Sequence, residues 1–143
     1  NFYRNKSRFQ EVIITKDVLV FRFDAQLFYA NANYFRDNLD AFAEEKGDDL
    51  RLIVLDAESI NRIDSTGVEM LKDRIKFYQK KNVLFYFAGA KGPLRDSLFR
   101  AGMLDIIDLN HFFMRANDAV TFYRTGDRGE QEKYSKYIHQ SYK

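Results

Sequence analysis

The chain has 143 residues, 45% hydrophobic and 31% charged, which fits one globular domain and fits neither two domains nor a disordered chain. Its net charge of +2 is too small for the broad positive field of a nucleic-acid-binding protein, so we expect no nucleic acid among its partners. The absence of cysteine excludes disulfides, thiolate metal sites and cysteine nucleophiles.

We expect neither a signal peptide nor a membrane span within this chain. Residues 1–9 are polar and basic, unlike a signal peptide. The longest stretch without a charged residue, 25–35, is far shorter than the roughly 18 apolar residues that a spanning helix needs. Because the first residue is Asn and not Met, we expect a piece of a longer protein.

The first elements in chain order are a hairpin and a helix. Two β-branched runs, 12–14 and 18–23, flank the polar pair Lys16-Asp17 and predict an antiparallel pair. Apolar residues at 35, 39, 42 and 43 then have helical spacing, with Asn31 or Asn33 as a candidate N-cap. Gly47 ends this helix.

The rest of the domain alternates strand and helix. We predict strands at 52–57 and 83–87, a weak strand within 106–113, and helices at 66–81, from Gly92 to Gly102, and after a cap at Asn117. This order indicates an α/β fold with a mixed, mainly parallel sheet of about five strands, the first strand antiparallel at the edge, and four to five packed helices. Residues 125–143 form a charged extension whose tyrosines have helical spacing.

One polar motif, Asp64-Ser65-Thr66-Gly67, stands at the start of the second helix. Thr66 and Glu69 fit a capping box. Ser65 would lie at the helix N-terminus, where free backbone N–H groups favour a negative charge such as a phosphate. The simpler interpretation is that the motif only caps the helix, and the residues themselves leave both open.

Other polar residues are weaker candidates. The loop 89–93 joins a strand to a helix, as phosphate-binding loops do, but it matches neither the P-loop nor the dinucleotide fingerprint; Lys91 and Arg95 remain possible anion or nucleotide contacts, together with Asp24. Asp24, Asp56 and Asp64 each follow a strand, yet no histidine accompanies them at ligand spacing. We therefore predict no catalytic residues, no metal site, no cofactor and no enzyme activity.

Several segments together resemble one family. The order of elements and the motif at 64–67 are similar to the STAS domain, named for sulfate transporters and anti-sigma-factor antagonists. Further segments resemble the form found in sulfate permease (SulP) transporters: 3–5, 21–32, 55–57, 63–67, 88–96, 100–104 and 118–120. The family's usual proline in the entry segment is replaced by Gln26, and the short connection 47–50 is typical of bacterial members.

The resemblance implies a division of the chain and a role. It implies a linker from an absent membrane domain at 1–8, a STAS domain at 9–124 and an added C-terminal extension at 125–143. The implied function is a cytoplasmic regulatory and assembly domain of a sulfate-type anion transporter at the inner (plasma) membrane. Its implied partners are the transporter's membrane domain, a second copy through the parent dimer, and a cytosolic regulator.

The alternative is a free-standing anti-sigma-factor antagonist that works as a phosphorylation switch. In that branch of the family, the phosphorylated serine directly follows the motif's Asp, and this position corresponds to Ser65. The resemblance therefore makes Ser65 the regulatory candidate, with Asp64, Thr66 and Gly67 around it. A block of hydrophobic helices encoded upstream would distinguish the transporter from the free-standing switch.

Overall fold

A computed structural model describes residues 9–11 and 15–142. Their single sheet consists of β1 (Phe9–Glu11), β2 (Val18–Phe23), β3 (Leu52–Asp56), β4 (Leu84–Ala88) and β5 (Phe112–Phe113). The α-helices are α1 (Ala32–Lys46), α2 (Ser65–Lys80), α3 (Gly92–Arg100), α4 (Ala116–Thr125) and α5 (Gln131–Ser141). Within these described ranges no helix has both the length and the apolar character that crossing a bilayer requires.

The strands lie side by side in chain order. β1 pairs antiparallel with β2 at one edge, and β2, β3, β4 and β5 pair in parallel. This confirms the predicted α/β fold with a mainly parallel sheet and an antiparallel edge strand. The antiparallel strand seen is Phe9–Glu11, whereas the strand predicted at 12–14 falls outside the described residues.

The two faces of the sheet are covered unequally. Successive side chains of β2 point to opposite faces of the sheet, so Leu19, Phe21 and Phe23 lie in one core and Val18 and Val20 in the other. The larger core is covered by α1, α2, α3 and α5. The first three connect neighbouring parallel strands, and successive right-handed crossovers place such helices on one side of the sheet. The smaller core is covered by α4 among the described elements.

The chain after α3 differs from the prediction. The weak strand predicted within 106–113 is only two residues long. The preceding residues, Leu109–His111, form a 3-10 turn, in which the Asp108 carboxylate accepts a hydrogen bond from Asn110 N (2.8 Å). The next helix begins at Ala116 with Arg115 as N-cap, so the predicted cap at Asn117 is wrong by two positions.

The C-terminal segment is helical and is packed on the domain. Tyr134 and Ile138 of α5 are buried in the larger core, and Ile138 is only 1% exposed. Buried Gln131 donates hydrogen bonds to Phe112 O (3.3 Å) and to Ser135 Oγ (2.5 Å). Helix α5 therefore closes the sheet beside β5 and shares the core of the preceding domain.

Candidate functional site

Two loops at the carboxyl ends of β2 and β3 are joined by backbone hydrogen bonds. Leu27 N donates to Arg62 O (2.9 Å), and Asp64 N donates to Leu27 O (3.1 Å), which makes a parallel bridge between Leu27 and Ile63. Buried Asn31 shapes the first loop, because its side chain accepts a hydrogen bond from Phe28 N (3.0 Å) and donates one to Gln26 O (2.8 Å). The start of α2 is therefore held by a second loop.

Asp64 is the residue that links these loops to α2. One carboxylate oxygen accepts a hydrogen bond from Gly67 N (2.8 Å) as the helix N-cap, and the other accepts one from Tyr29 N (2.9 Å). The predicted capping box at Thr66 is therefore wrong. Glu69 instead lies 4.0 Å from Lys72 Nζ, one turn further along the helix.

Gly67 is required by close packing and not by its backbone angle. A Cβ at this position would lie 2.8 Å from Leu27 O and 2.8 Å from Ile63 Cγ1, closer than real Cβ contacts. The helix can therefore approach the two loops this closely only with glycine at 67.

Ser65 and Thr66 are exposed, whereas Gly67 behind them is buried. Ser65 borders a groove of about 290 Å³ between α2 and α3, whose opposite wall includes Arg100. Beside it Tyr29 is 74% exposed. We call the surface formed by Tyr29, Ser65, Thr66, Glu69 and Arg100 the Ser65 face. It combines an exposed hydroxyl, an exposed aromatic ring and charges of both signs.

Asp24 lies apart from the other predicted contacts. Its carboxylate is 2.7 Å from Arg22 Nε, and this hydrogen bond raises the pKa of the Arg22 guanidinium. Arg22 also donates to Ser59 Oγ (3.2 Å), which connects the ends of β2 and β3. Among the described residues, Asp24, Asp56 and Asp64 form no group of carboxylates able to hold a metal ion.

Lys91 and Arg95 lie together in a different place. Lys91 is the exposed N-cap of α3, and Arg95 is buried one turn later. Both line a groove of about 640 Å³ that separates the β4–α3 loop from α5. We call it the α5 groove. Asp24 does not line it, so the predicted set of anion contacts is divided between two locations.

Sequence reasoning missed two features of these sites. The Tyr29 amide is the second donor to Asp64, and no side-chain pattern indicates a backbone donor 35 residues away. Tyr134 contacts Arg95 from α5, although its helical spacing with Ile138 did show that this helix has an apolar face.

The chain matches a family model described as the STAS domain over residues 10–119. Among curated proteins it is 33% identical over 107 residues, 75% of this chain and 19% of the other, to a probable sulfate transporter, Rv1739c, of Mycobacterium tuberculosis. The chain spans about a fifth of the length of the curated relatives that it matches.

Solved structures share the fold. The murine anion transporter Slc26a9 in its inward-facing state matches with a TM-score of 0.69 and 21% identity, over 80% of this chain and 18% of that chain. The anti-sigma factor antagonist SpoIIAA in its unphosphorylated form matches with a TM-score of 0.66 and 15% identity, over 81% of this chain and 96% of that chain. The same architecture thus occurs inside a large transporter and as a separate small protein.

Proposed function

We propose that this chain, which belongs to the STAS domain family, is the cytoplasmic regulatory and assembly domain of a bacterial anion transporter of the sulfate permease type. The similarity to sulfate transporters about five times longer supports this proposal. In this proposal residues 1–8 lead from the membrane domain, 9–124 form the STAS domain, and 125–143 are an extension. The location would be the cytoplasmic face of the inner membrane.

The domain would act through contacts and not through catalysis. Two of the candidate carboxylates are already engaged: Asp24 pairs with Arg22, and Asp64 accepts two backbone N–H groups. Such side chains are occupied in holding the loops and are not poised for proton transfer. The partners would be the transporter's membrane domain, a second copy brought by the parent dimer, and a cytosolic regulator.

The Ser65 face is the proposed docking surface, and Ser65 its switch. The single observation that carries this is the exposure of the Ser65 side chain, while Asp64 and Gly67 fix the backbone on either side of the helix start. A phosphate on Ser65 would meet the N-terminal end of the α2 dipole and the Arg100 side chain across the groove. It would therefore cost the fold little while changing the charge of the surface.

The test is Ser65→Asp in the full-length transporter and in the isolated chain. We expect the melting temperature of the chain to stay within about 2 °C, since a surface change alters stability by less than roughly 0.5 kcal/mol. Docking on the membrane domain, measured by cross-linking, and anion transport should both weaken. Ser65→Ala should leave both as in the wild type.

The matched control is Thr121→Asp, which adds the same charge at an exposed position of α4, on the opposite side of the sheet. It should leave docking unchanged. Unfolding by Ser65→Asp would show that the hydroxyl is a structural cap. Normal assembly and transport with Ser65→Asp would show that the motif is only a helix start.

A second candidate function is a free-standing antagonist that a kinase controls. The likeness to SpoIIAA over 96% of that chain favours it. The gene distinguishes the two: hydrophobic helices encoded upstream of residue 1 support the transporter, and their absence supports the free-standing switch.

A further inference from the structure

A groove of about 430 Å³ lies between α1 and α2, beside the residues that lead into β3 and β4. Its apolar lining includes the buried residues Ala43, Leu50 and Val83, and the Phe77 ring, 37% exposed, stands at its border. We call it the α1–α2 groove. It lies at the amino-terminal ends of the parallel strands, whereas the Ser65 face lies at their carboxyl ends. The groove is therefore a separate surface from the one proposed above to dock on the membrane domain.

The two helices that form the groove are joined to each other. The Asp40 carboxylate of α1 accepts hydrogen bonds from Arg74 Nη1 (2.8 Å) and from the Tyr78 hydroxyl, and both donors belong to α2. The Phe77 ring is held from α2 as well, because the Arg74 guanidinium lies 4.2 Å from its centre. The groove thus has its shape before a partner arrives, which lowers the entropic cost of docking.

The two helices end in opposite charges. The end of α1 and the 3-10 turn that follows it, Gly47–Asp49, carry four exposed carboxylates, and the end of α2 carries three exposed lysines. The carboxylates belong to Glu44, Glu45, Asp48 and Asp49, and the lysines are Lys76, Lys80 and Lys81. Of these, Glu44 and Asp48 line the α1 side of the groove, and Lys81 lines the α2 side.

These charges do not pair across the groove. Among the described residues, no cation forms an ion pair with Glu44 or Asp48, and no carboxylate forms one with Lys81. The Lys81 ammonium lies instead 4.4 Å from the centre of the Phe77 ring. Arg51, which also lines the groove, donates from Nη1 to the backbone carbonyl of Asp48 (2.7 Å). An acidic wall and a basic wall are therefore both left for a partner.

A second copy of this chain presents such charges in the order that fits. The groove runs along the helices, since its lining follows α1 from Asp40 to Asp48 and α2 from Phe77 to Lys81. Rotation by 180° about an axis along the groove places the acidic wall of one copy on the basic wall of the other. Rotation about an axis across the groove would place like charges together, which is unfavourable. Charge complementarity therefore selects one of the two symmetric arrangements.

The direction of this axis agrees with the place where the chain enters the domain. Phe9 at the start of β1 pairs with Phe23, the last residue of β2, so residues 1–8 join the sheet at the carboxyl ends of the parallel strands. Crossover helices run alongside the strands that they connect, so an axis along the helices keeps Phe9 of both copies at the same end. Two chains that enter from one membrane need this arrangement, and this step rests on the transporter function proposed above.

We propose that the α1–α2 groove is the surface through which two copies of this chain meet, with Glu44 and Asp48 of each copy against Lys81 of the other and the two Phe77 rings near the axis. The contact is self-complementary in charge and has an apolar centre. Two domains tethered in one dimer meet at an effective concentration of the order of 1 mM, so a weak contact between the separate domains is sufficient.

The experiment measures self-association of the chain by sedimentation equilibrium at concentrations up to about 1 mM, where we expect a dimer. Glu44→Lys and Lys81→Glu should each weaken the association at least about tenfold, because each places like charges opposite one another twice in the dimer. An equimolar mixture of the two variants should associate at least as tightly as the wild type, since unlike charges then oppose each other at both ends of the interface.

The matched control is Glu132→Lys, which makes the same charge reversal at an exposed position of α5. It should associate like the wild type, and it should not bring Lys81→Glu into a dimer as Glu44→Lys does. A chain that stays monomeric up to about 1 mM, or single variants that the mixture does not rescue, would overturn the proposal. Opposite effects of the two reversals would assign the groove to a partner of a single charge sign and would also overturn it.

Phe77→Ala tests the apolar centre of the contact. We expect the association to weaken roughly fivefold, because a buried aromatic ring at the centre of an interface contributes much of its affinity. Tyr137→Ala removes a more exposed ring, 59% exposed, from the border of the α5 groove and should leave the association unchanged. Thermal melts of all variants are measured alongside. A larger effect of Tyr137→Ala than of Phe77→Ala would place the contact on α5 and contradict the proposal.

These measurements use the chain without a membrane domain, so they separate the groove from the transporter function. Absence of association would remove the groove contact and leave the transporter to be tested by the gene and by docking of Ser65→Asp. Ser65→Asp itself should associate like the wild type, because Ser65 lies at the other end of the strands. Loss of association in Ser65→Asp would contradict the independence of the two surfaces.

Discussion

The Ser65 face and the α5 groove both lie where helices begin, but they differ in how the unpaired backbone N–H groups of the first helical turn are capped. At the Ser65 face, the Asp64 carboxylate caps α2 by accepting a hydrogen bond from Gly67 N, and it accepts another from Tyr29 N of the neighbouring loop. At the α5 groove, α3, α4 and α5 start without side-chain caps, and the buried Arg95 is held by Ala90 O and by the hydroxyls of Tyr134 and Tyr142. The start of α2 is thus capped by a carboxylate, whereas the α5 groove is lined by four cationic and two anionic side chains: Lys91, Arg95, Arg115, Lys133, Glu58 and Glu130.

The two regions therefore depend on different parts of the fold. A compensated site with an exposed hydroxyl can gain or lose a phosphate without disturbing the fold, which suits a surface that is switched. The α5 groove depends instead on the packing of α5, which supplies Glu130, Lys133, Tyr134 and Tyr137 to its lining. Four substitutions test this contrast, and each should affect the domain by a different amount.

The largest effect should come from Ile138→Ala, which tests whether α5 is part of the core. Ile138 is 1% exposed and lies in the larger core, so its truncation should cost about 2–5 kcal/mol of unfolding free energy. Urea denaturation measures it. Gln140→Ala, exposed on the same helix, should cost less than about 0.5 kcal/mol. A small cost for Ile138→Ala would show that α5 is a detachable appendage.

Gly67→Ala should have the next largest effect, and it acts on the Ser65 side. The added methyl would lie 2.8 Å from Leu27 O, and forcing the loops apart should cost roughly 1–3 kcal/mol. Gly92→Ala is the control, because a Cβ at the start of α3 meets nothing within 4 Å. Thermal melts compare the two, and similar losses in both would refute the close-approach argument.

Asp64→Ala removes the link between α2 and the loop that carries Tyr29. Losing an N-cap acceptor typically costs about 1 kcal/mol, and the Tyr29 amide loses its partner as well, so we expect about 1–2 kcal/mol in total. Hydrogen exchange at the Tyr29 and Gly67 amides should accelerate, while exchange in α5 should not. Unchanged exchange at Tyr29 would mean that the carboxylate does not hold this loop.

Much of the fold followed from the sequence because its signals are local. Continuous apolar runs predicted β3 and β4, helical spacing predicted α1, α2 and α3, and the turn after a β-branched run predicted an antiparallel edge. The capping of α2 was wrong in detail, since Thr66 and Glu69 match a common pattern that Asp64 supersedes by reaching Gly67 N. The sequence pattern alone does not show whether Asp64 or Thr66, two residues apart, is the N-cap of α2.

The parts that could not be predicted depend on distant partners. Helical spacing showed that α5 has an apolar face but not which surface that face covers. The burial of Arg95 depends on Tyr134, 39 residues later, so Arg95 resembled an ordinary solvated residue in a glycine-rich loop. The exposure of Ser65, by contrast, was foreseeable, because residues at the first turn of a helix commonly face solvent.

The smallest effect concerns pH, and it should be confined to the side of the sheet that α4 covers. The His111 ring stacks on Tyr86, with centroids 4.6 Å apart, and Tyr86 belongs to the smaller core beneath α4. Burial lowers the pKa of His111 below its usual 6.5, although nearby Asp108 opposes the shift. As the pH falls through 6.5, the unfolded chain therefore takes up a proton before the folded chain does, and the folded state loses stability. We expect the melting temperature to decline over this range in the wild type and to decline less in His111→Asn, with His139→Asn, on the exposed face of α5, behaving like the wild type. A His111→Asn variant with the same pH slope as the wild type would show that the ring takes up its proton without leaving Tyr86.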